Sequence, residues 1–129
     1  MGLKDVNFTG QIPDHAVVED ILSKCGVGIA AYEPSKDSYT QYTEPGKVKV
    51  YLACGLPVII TRVPKIAGEI EAKGAGLVID FTVESLVNGV TRLFQDQRFY
   101  RAARRSAVDF ASQFSWTRIF EDSFEKVLA

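Results

Sequence analysis

Apolar residues in this chain come in short runs, separated by stretches where apolar positions recur every three or four residues. That alternation is the sequence sign of βαβ units feeding a parallel sheet. Four runs are predicted as strands: Val6 to Thr9, Val27 to Tyr32, Pro57 to Thr61 and Gly76 to Asp80. Each is nearly continuously apolar, as strands covered on both faces should be. Three helices are expected between them. The first follows Pro13, takes Asp14 as its N-cap and places Val17, Val18, Ile21 and Leu22 on one face before Gly26. The second runs from about Thr43 to Cys54, with Pro45 in its first turn, where a missing N–H does no harm, and Gly55 just past its end. The third, Ile66 to Lys73, stops at Gly74, which accepts left-handed backbone.

Beyond Asp80 no further strand is legible, and three consecutive helices follow. Leu86, Val87, Val90, Leu93 and Phe94 form one amphipathic stripe; Asp96 caps a second helix through Phe99, Ala103, Ala107 and Phe110. Ser115 starts a last helix whose wide apolar face carries Trp116, Ile119, Phe120, Phe124, Val127 and Leu128. The expected class is α/β: a parallel sheet of about four strands, helices on both faces, and a helical carboxyl-terminal segment.

Composition narrows the options. With 129 residues, 47% of them hydrophobic, the chain has the size of one globular domain spanning positions 1–129. A formal net charge of -1 gives no electrostatic case for a nucleic-acid partner. Neither a signal peptide nor an apolar run near the ~18 residues of a membrane span is present, so a cytoplasmic location is expected. Cys25 and Cys54 are far apart in sequence and are expected to be buried thiols in a reducing compartment. Because the strand-like Val6-Asn7-Phe8 comes almost at once, the chain also has the look of a piece of a longer protein.

Most catalytic signatures are missing: there is no P-loop, GxGxxG, GxSxG or HExxH. His15, the single histidine, reads as a first-turn helix residue, and no metal site is expected. A receiver-type phosphoacceptor would need acids after the first strand, where Thr9-Gly10-Gln11 stands instead. The irregular stretch Glu33 to Gln41 leaves the carboxyl end of the second strand, the edge at which α/β sheets bind ligands. It leads into Thr40-Gln41-Tyr42-Thr43-Glu44-Pro45-Gly46-Lys47 at the start of the second helix. Free amides, the positive end of a helix dipole, a glycine and a lysine favour a phosphate there; the alternative is a plain capped helix start. On the same helix Val48, Tyr51, Leu52 and Gly55 share a stripe, whereas Val50 points away between Lys47 and Lys49, either as a solvated valine or as the lining of a cleft.

The string Gly46-Lys47-Val48-Lys49-Val50-Tyr51-Leu52-Ala53-Cys54-Gly55-Leu56-Pro57-Val58-Ile59-Ile60 resembles the donor-binding segment of GT-B retaining glycosyltransferases of the group 1 (GT4-like) family. Val6 to Ile12, Gly26 to Tyr32, Glu69 to Val78 and Phe114-Ser115-Trp116 extend the resemblance along nearly the whole chain. It implies a Rossmann-like carboxyl-terminal domain that binds a nucleotide diphosphate sugar of the UDP or GDP type, with no other cofactor and no metal. The acceptor would be held by a separate amino-terminal domain for which this chain has no room, so the chain alone is expected to be inactive. By resemblance the base contacts fall on Ile12 and Asp14, and the diphosphate and sugar on Thr43, Glu44, Gly46 and Lys47. The family's two glutamates, one facing the sugar and one the ribose, correspond to Tyr42 and Val50, and Glu44 stands two residues out of register with the first.

A noncatalytic interaction module with a degenerate donor site is the rival expectation, supported by Tyr42 and Val50. Two surfaces carry partner expectations. The helix with Arg98, Arg101, Arg104 and Arg105 reads as a solvated face, with a membrane-surface contact as the alternative. The aromatic last helix reads as a homodimer contact once its partner domain is missing.

Overall fold

A computed structural model describes residues 4–35 and 39–129. Three parallel strands, β1 (Gly28–Ala30), β2 (Val58–Thr61) and β3 (Gly76–Ile79), lie in the order β1-β2-β3. Gly28 pairs with Val58, and Val58 in turn with Gly76. Six helices accompany them: α1 (His15–Ser23), α2 (Gly46–Ala53), α3 (Ile66–Lys73), α4 (Val83–Gln95), α5 (Gln97–Ala111) and α6 (Trp116–Leu128). No helix among the described residues is long and apolar enough to cross a membrane.

β2 is central and buried at every position, and its side chains alternate between two cores. Val58 and Ile60 pack with Val48 and Leu52 of α2, Ile66 and Ile70 of α3, and Ala107 and Phe110 of α5. Ile59 faces the other way, against Leu93 of α4 and Ala103 of α5. α5 therefore contributes to both cores. Helix boundaries follow local chemistry: Asp14 accepts from the Ala16 N–H at 2.9 Å, Asp96 from the Arg98 and Phe99 N–H groups at 2.9 and 3.0 Å, and Ser115 from the Arg118 N–H at 3.3 Å. Gly74, at φ 67, closes α3 in the left-handed region.

Four expectations are corrected. Val6 to Thr9 forms no strand, so the sheet has three strands and not four. Val6 and Phe8 are exposed, Gly10 turns the chain at φ 68, and no neighbouring strand supplies a ladder for this apolar segment. α2 starts at Gly46, not Thr43, and Pro45 is its cap and not a first-turn residue. The residue before a proline is steered out of helical backbone, so a helix cannot run through Glu44 into Pro45. The stretch read as irregular to Gln41 instead ends in a 3₁₀ turn, Tyr39–Tyr42; positions 36–38 of it lie outside the described residues. Cys25 is exposed and Cys54 only half-buried, because both follow helix ends at the amino edge of the sheet and fall outside the buried stripes.

Candidate functional site

Helices that precede parallel strands run back against them, so α1 and α2 both direct their amino ends toward the carboxyl edge of the sheet. At the start of α2, Pro45 adopts extended backbone (φ -70, ψ 111) and no side chain caps the helix. Val48 N–H reaches the Pro45 carbonyl at 3.1 Å, which leaves the Gly46 and Lys47 amides ahead of the first helical bond. Nothing lies within 4 Å of the point where a Cβ of Gly46 would stand. The site thus offers backbone donors, a positive dipole end and open space.

Its charges are arranged by neighbours. The Lys47 ammonium lies 4.8 Å from the centre of the ring of Tyr32, two residues past the end of β1. Lys49 bonds the Glu44 carboxylate and sits 4.6 Å from the Phe114 ring centre. The Lys49 hydrogen bond, then its charge, and to a smaller degree Lys65, hold the Glu44 carboxyl below its ordinary range. A lowered folded-state value means that the pair stabilises above the ordinary carboxylate range and loses that contribution as pH falls through the folded value. With Glu44 73% exposed the contribution is small. Lys49→Met is expected to return the Glu44 titration to the ordinary carboxylate range with little change in stability. NMR titration of the side-chain carboxyl checks it, and an unmoved midpoint contradicts the pairing.

Three contributors were missed by sequence reasoning. Tyr32 N–H donates to Thr61 Oγ1 at 2.8 Å, and the Thr61 hydroxyl donates back to the Tyr32 carbonyl at 2.7 Å. This reciprocal clamp joins β1 and β2 just where the loop toward α2 departs. Burial, then the neighbouring Tyr51, raises the Tyr32 phenol above its ordinary value. Arg62 makes a two-pronged contact with Glu71 at 3.1 and 2.9 Å and, with Pro34, Ser35, Gln41 and Val63, lines a cavity of about 290 Å³. Their one sequence signal was position: they stand at the ends of runs already read as strands.

The remaining expected site residues divide into two groups. Tyr42, 83% exposed, Thr43, Glu44, Gly46, Lys47 and half-buried Val50 surround the start of α2. Thr43 donates its hydroxyl to the Thr40 carbonyl at 3.0 Å. Ile12 and Asp14 stand instead at the start of α1, which buries none of its residues. The Asp14 carboxylate is engaged as the α1 cap, and Ile12 lines a separate hollow with Gly10, Val18 and Ile21. The two groups share an edge of the sheet, and none of the residues around the start of α2 lines the hollow at Ile12. Among the described residues no cluster of three His, Cys, Asp or Glu side chains is assembled that could hold a metal ion.

Residues 3–115 match the glucosyltransferase 3-like, C-terminal domain family. The chain belongs to that family. It is a glycosyltransferase C-terminal domain, which is the level at which the sequence resemblance is supported. No curated protein and no solved structure matches the chain. Within the glucosyltransferase 3-like domain the match ends at Ser115, the cap of α6, and so takes in the whole sheet and both groups of expected site residues.

Proposed function

We propose that this glucosyltransferase 3-like domain is the donor half of a GT-B enzyme of the group 1 (GT4-like) kind, binding a nucleotide diphosphate sugar at the start of α2. In the full enzyme a glycosyl group, glucosyl by the family's description, passes from the nucleotide diphosphate to an acceptor hydroxyl. The observation that carries the reading is the uncapped start of α2 with open space at Gly46 and Lys47 in its first turn, the ammonium held over the Tyr32 ring. As the bond from sugar to diphosphate breaks, negative charge grows on the leaving oxygen. Preorganised amides and an ammonium stabilise that charge more than the ground state, which is how such a site accelerates transfer. Tyr42 lies at the sugar end of this arrangement and Val50 toward the ribose, while Ile12 and Asp14 serve the base. The acceptor and its binding belong to a second domain.

A charge-assisted hydrogen bond contributes roughly 1.5–3 kcal/mol, so Lys47→Ala is expected to weaken UDP or GDP binding about tenfold or more. Isothermal titration with both nucleotides and with their glucose conjugates measures it. Equal affinities for variant and parent contradict the role of Lys47. The rival reading, an interaction module with a degenerate site, is favoured by the absence of a carboxylate at Tyr42 and Val50. It predicts no amide shift at Thr43, Glu44, Gly46 or Lys47 in NMR spectra recorded with any of these ligands at millimolar concentration.

A further inference from the structure

Cys25 and Cys54 stand apart from the donor site, at the opposite edge of the sheet. Each follows a helix and precedes a strand, α1 into β1 and α2 into β2. Those strands are parallel neighbours with Gly28 paired to Val58, and the Gly28 N–H donates to the Pro57 carbonyl at 3.0 Å. The two cysteine segments therefore enter the sheet side by side. Both sulfurs also lie against the last turns of α1. Cys25 Sγ donates to the Ile21 carbonyl at 3.4 Å and Cys54 Sγ to the Glu19 carbonyl at 3.9 Å. Solvent reaches both: Cys25 is exposed, and Cys54 opens into a cleft of about 610 Å³ shared with Ser23, Gly55 and Arg104. Burial, and then the neighbouring Glu19 and Cys25, raise the Cys54 thiol above its ordinary value, which agrees with two sulfurs in each other's electrostatic range.

We propose that Cys25 and Cys54 are a reversible thiol–disulfide modification site whose oxidant is a small disulfide such as oxidised glutathione. Exposed Cys25 gives its proton to solvent and attacks one glutathione sulfur, and the other glutathione leaves as a thiolate that takes up a proton. Cys54 then loses its proton and attacks the Cys25 sulfur of the mixed disulfide, expelling the second glutathione. Two protein thiols are oxidised to one disulfide, and one glutathione disulfide is reduced to two thiols. α1 buries none of its residues, so the shift of α1 that brings the two sulfurs to bonding geometry takes no side chain out of a core. The bond closes a loop from residue 25 to residue 54 and tethers α1 to the carboxyl end of α2, the helix whose other end carries the candidate donor site.

The test is incubation of the reduced protein with oxidised glutathione, followed by intact-mass measurement, peptide mapping and melting. The expected result is loss of two hydrogen atoms, a peptide pair linking the two cysteines, and a Tm several degrees above that of the reduced protein, reversed by dithiothreitol. Cys25→Ser and, separately, Cys54→Ala should each abolish the linked product. A stable glutathione adduct on Cys25, a covalent dimer as the main product, or two thiols left unreacted overturns the proposal.

Discussion

Gly76→Ala is expected to leave little folded protein. A Cβ at this position of β3 would stand 1.9 Å from the Val58 carbonyl oxygen and 2.7 Å from the Val58 carbonyl carbon and nitrogen. The three nearest atoms are all backbone of the central strand, so no rotamer change can relieve the clash. Either the β2·β3 ladder opens or Val58 leaves the core it shares with α2 and α5. Losses beyond about 4 kcal/mol are exceptional for one substitution, and this one belongs there. Typical domain stability is about 5–15 kcal/mol, so the variant should lack a cooperative urea transition or show a greatly lowered midpoint. Gly68→Ala is the control. Gly68 lies inside α3 with nothing within 4 Å of its would-be Cβ, so alanine there should stabilise by roughly 0.5–1 kcal/mol. A native melting curve for Gly76→Ala would refute the close approach of the two strands.

Leu52→Ala comes second in expected size, and its effect reaches the site. Leu52 is fully buried in α2 against Val58, Ile60 and Phe110. Removing its outer carbons should cost about 2–5 kcal/mol, the spread depending on how far α2 settles into the space left. Settling would also displace the start of α2, because Leu52 and Val48 are the buried residues that seat this helix. The expected pair of results is a lower urea midpoint at nearly constant m-value and a weaker nucleotide affinity at temperatures where the variant is still folded. Lost stability with undiminished affinity would show that Gly46 and Lys47 are positioned without help from Leu52.

Much of the structure that depends on neighbours in sequence was legible, though the start of α2 at Pro45 was not. α3 begins at Ile66 and ends at Lys73 as expected, because Gly74 is a local stop, and Asp14, Asp96 and Ser115 announce three helix starts through bonds to amides two or three residues on. What required a distant partner was misread. Val6 to Thr9 has a strand's composition, yet a strand needs a ladder, and ladders are not written in the segment itself. Lys47 and Gly46 were legible as candidate site residues because helix-start chemistry is local. The Tyr32–Thr61 clamp joins residues 29 positions apart and left no trace in either run. The Glu44–Lys49 pair was missed because Pro45 shifts the helix start and turns Glu44 back toward Lys49.

The double membership of α5 also sets an order of events during synthesis. Ala107 and Phe110 complete the core on one side of β2, and Ala103 completes the other. A nascent chain that has emerged only as far as β3 has all three strands with α2 and α3 on one face, but that core still lacks Ala107 and Phe110, and the Ile59 face is open to water. The sheet is expected to stay labile until the last turns of α5 leave the ribosome. For that interval the nearly continuously apolar segment Pro57 to Thr61 is the one most in need of chaperone cover.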